Sequence, residues 1–102
     1  MKFVGRKASS TTRESYIEKK VSDYARKLGW LTFKWTSTSQ RFVPDRLFFY
    51  GGKVVIVEFK APGKEPSKAQ RIIHNMLDKV GFPVYVIDDV EEGKKLFNGE
   101  TK

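Results

Sequence analysis

One α/β domain, with a mixed central sheet and helices on its faces, is what this sequence predicts, and three observations predict it. The chain has 102 residues, enough for a single hydrophobic core and too few for two. Two stretches repeat apolar residues at helical spacing, whereas four others are short β-branched or aromatic runs. The two kinds alternate in the order helix, three strands, helix, strand, with a short closing helix, an αβββαβ core. The crossover from the third strand through the second helix to the fourth is a βαβ unit, expected to be parallel and right-handed.

Residues 1–12 are short, basic and polar, and read as a flexible arm carrying Lys2, Arg6 and Lys7, with Ser9, Ser10, Thr11 and Thr12 leading to a helix cap. Residues 13–28 form the first helix. Ile17, Val21, Tyr24, Ala25 and Leu28 make its apolar stripe, and Gly29 stops it. Glu14 and Glu18 stand four apart, on one side of that helix. Residues 30–36 alternate as a strand, and residues 37–42 are a polar loop containing Arg41. Residues 54–57 are continuously apolar, which predicts a strand buried on both faces near the middle of the sheet. Two prolines and a glycine break the pattern over residues 61–66.

Residues 67–80 form the second helix, with Ile72, Ile73, Met76, Leu77 and Val80 as the expected buried stripe. Ser67 and Gln70 spell a capping box, in which the serine side chain reaches the Gln70 amide and the glutamine reaches back. His74, the one histidine, is expected to lie on the surface or to serve as helix filler. Residues 84–87 are the fourth strand. Asp88, Asp89, Glu91 and Glu92 then cap and open a last helix to about Phe97, which explains that acidic run more simply than a second metal cluster does. Residues 98–102 read as a frayed tail, which leaves residues 13–97 as the domain.

The chemistry concentrates in residues 43–60, where two apolar runs flank Gly51 and Gly52. Glycine takes the positive φ angles of a two-residue hairpin turn without steric cost. With those glycines as the loop, Tyr50 pairs with Lys53, and counting outward sets Asp45 across from Glu58. Opposed residues share a face at roughly 4.5–5.5 Å between Cβ atoms. Lys60 lies on the same face, about 6–7 Å further on. Two carboxylates in that position repel, unless a divalent cation lies between them. Mg²⁺ takes carboxylate, carbonyl and water oxygens, and a water on such an ion attacks phosphate esters. The competing interpretation is an ordinary meander in which Asp45 ends a loop and Glu58 and Lys60 are solvated.

The run Val43-Pro44-Asp45-Arg46, then Val57-Glu58-Phe59-Lys60-Ala61-Pro62-Gly63, then Ser67-Lys68-Ala69-Gln70, resembles the VRR-NUC (virus-type replication-repair nuclease) branch of the PD-(D/E)XK nucleases. The resemblance extends over residues 14–97. It implies a restriction-endonuclease-like αβββαβ core and a Mg²⁺- or Mn²⁺-dependent endonuclease. It implies that Asp45, Glu58 and the Phe59 carbonyl hold the metal. Glu18 on the first helix would complete the site directly or through water, with Glu14 as its competitor. Lys60 would position and activate the attacking water, and Gln70 would assist. Small stand-alone members resemble homodimeric resolvases of branched DNA, including four-way (Holliday) junctions.

Composition fits a partner of that kind. The net charge is +8 and the pI near 9.8, the balance of a domain that meets a polyanion. Lys34, Arg41, Lys64, Lys68 and Arg71 are the expected phosphate contacts, and none belongs to a base-reading module. Cysteine is absent, which excludes a disulfide framework, zinc–thiolate chemistry and a cysteine nucleophile. No apolar run approaches the length of a membrane span, so the expected location is the cytoplasm, or the host cytoplasm if the chain is viral. No small-molecule cofactor and no membrane partner are expected. Two alternatives remain open from sequence: a non-catalytic nucleic-acid-binding module, and a restriction-type or RNA nuclease on the same core.

Overall fold

The computed structural model describes residues 1–5 and 12–99. Eight elements follow one another: β1 (Lys2–Val4), α1 (Glu14–Lys27), β2 (Leu31–Lys34), β3 (Arg46–Tyr50), β4 (Lys53–Phe59), α2 (Lys68–Lys79), β5 (Val84–Ile87) and α3 (Val90–Asn98). The strands make one mixed sheet in the order β1-β5-β4-β3-β2. The αβββαβ core is present, with β4 at the centre and running parallel to β5.

The turn between β3 and β4 fixes the register. Gly51 and Gly52 have φ of 55° and 80°, the doubly left-handed backbone of a two-residue turn. Tyr50 pairs with Lys53, and the ladder runs out to Arg46 against Val57. One step beyond, the Asp45 amide donates to the Val57 carbonyl at 3.0 Å.

Alternation along β4 then separates two environments. Val57 and Phe59 face α1 and α3, where they join Ile17, Val21, Ala25, Trp30, Phe48, Ile87 and Phe97 in the main core. Glu58 faces the opposite side, towards α2, and is only 2 % exposed. Gly93 lets α3 approach that core. A Cβ there would meet the Ile87 and Val21 side chains at 2.7 and 2.9 Å.

Three expectations are corrected. Lys2–Val4, expected within a flexible arm, form an edge strand parallel to β5, and the Asp88 amide donates to the Val4 carbonyl; Arg6 and Lys7 lie outside the described residues. Asn98, expected in a frayed tail, closes α3. The inner face of α2 is rotated from the expected stripe. Ile73 and His74 are buried, while Ile72, Met76 and Val80 are 52 %, 56 % and 70 % exposed. The buried set belongs to the 70, 73, 74, 77 spacing of one helix face. His74 is therefore neither on the surface nor a filler: it is fully buried against Glu58.

Candidate active site

The site forms where the ends of β3 and β4 meet the first turns of α1 and α2. Asp45 enters it from the loop before β3, behind the buried Pro44. Its backbone is fixed on both sides, since the Trp35 amide donates to its carbonyl at 2.9 Å and its own amide donates to Val57. Its side chain turns towards β4, where Oδ2 accepts the Phe59 amide at 2.8 Å. Burial first, and the neighbouring Glu58 charge second, push the Asp45 carboxyl up to about 7, against the lowering effect of the Phe59 amide. Asp45 thus feels the Glu58 charge, second to its own burial.

Glu58 is gripped mainly from α2. Gln70 Nε2 donates to its Oε2 at 3.3 Å, and Lys60 Nζ lies 3.9 Å from the same oxygen. His74 Nε2 lies 3.6 Å from Oε1, which has no hydrogen-bond partner. Gln70 also completes the capping box with Ser67. Its Oε1 accepts the Ser67 amide at 2.9 Å, and its amide donates to the Ser67 hydroxyl at 3.1 Å. One side chain therefore caps α2 with its oxygen and touches Glu58 with its nitrogen.

The two glutamates of α1 divide. Glu18, expected in the site, is engaged elsewhere: Arg46 Nε donates to its Oε2 at 2.7 Å, and Lys34 Nζ lies 3.4 Å away. Glu14 opens the helix. Although exposed as a residue, its carboxyl is pushed up by burial, with Lys60 pulling it down and Glu58 pushing it up. Asp45 feels Glu14 more strongly than Glu18. Glu14 is thus the α1 carboxylate that shares the neighbourhood of Glu58 and Lys60.

The donors are oxygens of the kind hard cations take. Among the described residues no group of three His, Cys, Asp or Glu side chains converges as a metal cluster. Two carboxylates with a backbone carbonyl nonetheless meet the demands of Mg²⁺, which keeps several waters and uses one or two carboxylates. The raised Asp45 carboxyl beside the Glu58 charge is a feature a cation between them would relieve. In the loop before Asp45, Arg41 lies 5.0 Å over the ring of Phe42, the one described non-glycine residue with positive φ, at 66°. Arg71 is tied to the Pro66 carbonyl and to Glu65. Lys64 and Lys68 are exposed beside the start of α2.

Sequence reasoning missed two residues. Arg46 follows Asp45 directly, and its register opposite Val57 already aims it at α1. His74 sits four residues after Gln70, hence on the same helix face.

No family model matches the sequence. A protein named "Putative nuclease p44", from Acyrthosiphon pisum secondary endosymbiont phage 1, is 42% identical over 77 residues, covering 74% of this chain and 83% of that protein. A solved structure described as a VRR_NUC domain superposes with a TM-score of 0.76 at 26% identity, covering 84% of this chain and 95% of that one.

Proposed function

Since the chain belongs to the VRR-NUC family of nucleases, we propose that it is a Mg²⁺- or Mn²⁺-dependent endonuclease that hydrolyses phosphodiester bonds in branched DNA, including four-way junctions, as a homodimer. The observation that carries the hydrolytic reading is the Asp45–Glu58 pair, with Asp45 raised to about 7 beside a buried second carboxylate. Such a pair is a poor way to stabilise a sheet and a good way to hold a divalent cation.

Asp45, Glu58 and the Phe59 carbonyl would hold the ion, with Glu14 rather than the Arg46-bound Glu18 completing the set directly or through water. When bound, the ion supplies an acidified water and neutralises charge on the phosphate. The chain does the rest. The Phe59 amide holds Asp45 in place at Oδ2. Lys60 Nζ, 3.9 Å from Glu58 and largely screened from solvent, orients the attacking water and stabilises charge gathering on phosphorus. Gln70 fixes Glu58 from the first turn of α2 and presents a second donor. Glu18, held by Arg46, keeps α1 docked beside β3.

Phosphates are gripped by Lys34, Arg41, Lys64, Lys68 and Arg71 without reading base sequence. Selection by DNA shape follows from a basic surface that carries no base-reading module. Pairing of two copies is supported by apolar side chains left uncovered, among them Phe33, Ile72, Met76 and Val80, each more than half exposed. Two sites per dimer allow symmetric cuts. The phage relative makes the host cytoplasm the expected place of action.

The test is incubation with four-way junction, flap, duplex and RNA substrates, with and without Mg²⁺. Metal-dependent cleavage of the junction that vanishes in Asp45→Ala and Glu58→Ala, while DNA binding persists, is the expected outcome. Binding without cleavage in either Mg²⁺ or Mn²⁺ would sink the reading in favour of a binding module.

A further inference from the structure

Three polar atoms of the buried interior lack partners at one place. Both ring nitrogens of His74 and the Oε1 of Glu58 have none, and Nε2 faces Oε1 across 3.6 Å. His74 is 0 % exposed and Glu58 2 %. A buried unsatisfied polar group destabilises the fold, and a leucine at position 74 would avoid leaving ring nitrogens unpaired. At 3.6 Å the imidazole and the carboxylate face each other without a hydrogen bond. On the other oxygen, Gln70 Nε2 already donates at 3.3 Å. Gln70 and His74 are one turn apart on α2, so a single rigid helix addresses both oxygens of one carboxylate.

We infer that His74 is a positioning residue that, together with Gln70, fixes the plane of the Glu58 carboxylate for metal binding. The inference rests on the reading of Glu58 as a metal ligand. A ligating carboxylate presents one lone pair to the ion and needs its remaining sites held, and loss of such an outer partner typically costs 10–100-fold in metal affinity. For this role the imidazole must be the tautomer that carries its proton on Nε2, the nitrogen facing Oε1. It touches neither substrate nor the reacting atoms, and it acts through Glu58.

The test is Mn²⁺ binding by calorimetry, without DNA, on the full chain and on His74→Leu and His74→Gln, with thermal stability measured beside it. The wild-type chain is expected to bind Mn²⁺, and His74→Leu to bind at least about tenfold more weakly while remaining folded. His74→Gln, which keeps a donor near the Nε2 position, is expected to recover most of the loss. Wild-type affinity in a folded His74→Leu overturns the inference and leaves the nuclease reading intact. A wild-type chain that binds no Mn²⁺ overturns both. A second measurement needs no variant at position 74. His74 is the sole histidine, so its side-chain nitrogens give unambiguous NMR signals. A proton on Nε2 whose shift moves on adding Mg²⁺, and does not move in Asp45→Ala, is expected. A bare Nε2, or a signal indifferent to Mg²⁺, overturns the inference.

Discussion

Asp45 holds a proton at a pH where an ordinary aspartate has lost it, because burial and the Glu58 charge both oppose ionisation and the single Phe59 hydrogen bond does not offset them. In the unfolded chain the same carboxyl titrates near 3.8. Between that value and about 7 the folded state binds more protons than the unfolded one, so this group makes stability fall as pH rises. Its contribution is complete below the lower value and lost above the upper one. In EDTA the denaturation midpoint is therefore expected to decline from pH 5 to pH 8, and Asp45→Asn to flatten that decline. Adding Mg²⁺ at pH 8 should restore stability, as a ligand that binds only the folded state does. A midpoint that rises over the same window would contradict the assignment. The α1 glutamates make a second residue-scale prediction. Glu14→Gln should lower cleavage with little change in stability, whereas Glu18→Ala strands the part-buried Arg46 and should cost about 2 kcal/mol. The β3–β4 register that carries Asp45 and Glu58 was legible in the sequence because two glycines set it locally. How the two α1 glutamates divide was not, because the rotation of α1 against the sheet is set by Ile17, Val21 and Ala25 packing on strands distant in sequence.

Helix α2 shows why an element can be located well and oriented poorly. Its start was readable from Ser67 and Gln70, because a capping box is a local hydrogen-bond exchange, and both halves are present. Its apolar stripe was read from hydrophobicity alone. The helix instead buries a histidine and sets Ile72 and Met76 outward, because Glu58 beneath it is a polar neighbour that demands polar partners. The two duties of Gln70 separate by substitution. Gln70→Glu keeps a carboxylate oxygen for the Ser67 amide, so the cap should persist, and with Mg²⁺ bound to offset the added charge stability should fall less than activity. It also removes the donor and sets a like charge against Glu58, so cleavage should fall steeply. Ser67→Ala should do the reverse, costing about 1 kcal/mol of stability while leaving turnover near normal. The two variants are compared by denaturant melts and by junction cleavage at saturating Mg²⁺. Equal effects on both measures would mean that the cap and the site are not separable functions of this turn.

At the scale of the molecule, the active site occupies one region while apolar side chains stand uncovered elsewhere. Ile72 and Met76 lie four apart on α2, with Val80 and Phe82 beyond its end, and Leu31 and Phe33 project from the edge strand β2. That much exposed apolar surface on a chain of this size is costly unless something covers it, and a second copy would also supply the second cut that resolution of a four-way junction needs. The placement of these residues could not be read from the sequence, since the same apolar pattern serves equally for a core or an interface. Ile72→Glu combined with Met76→Lys tests the arrangement. The pair sits at favourable helical spacing, adds no net charge, and replaces side chains that are more than half exposed, so the fold and the long-range attraction for DNA should both persist. Light scattering is expected to report a dimer for the wild-type chain and a monomer for the variant. On a four-way junction the variant should still nick single strands with Mg²⁺ but lose the paired incisions that release linear products. If the wild-type chain is a monomer with the junction bound, or if the monomeric variant still makes paired cuts, symmetric resolution by two copies is wrong and this apolar face serves another purpose.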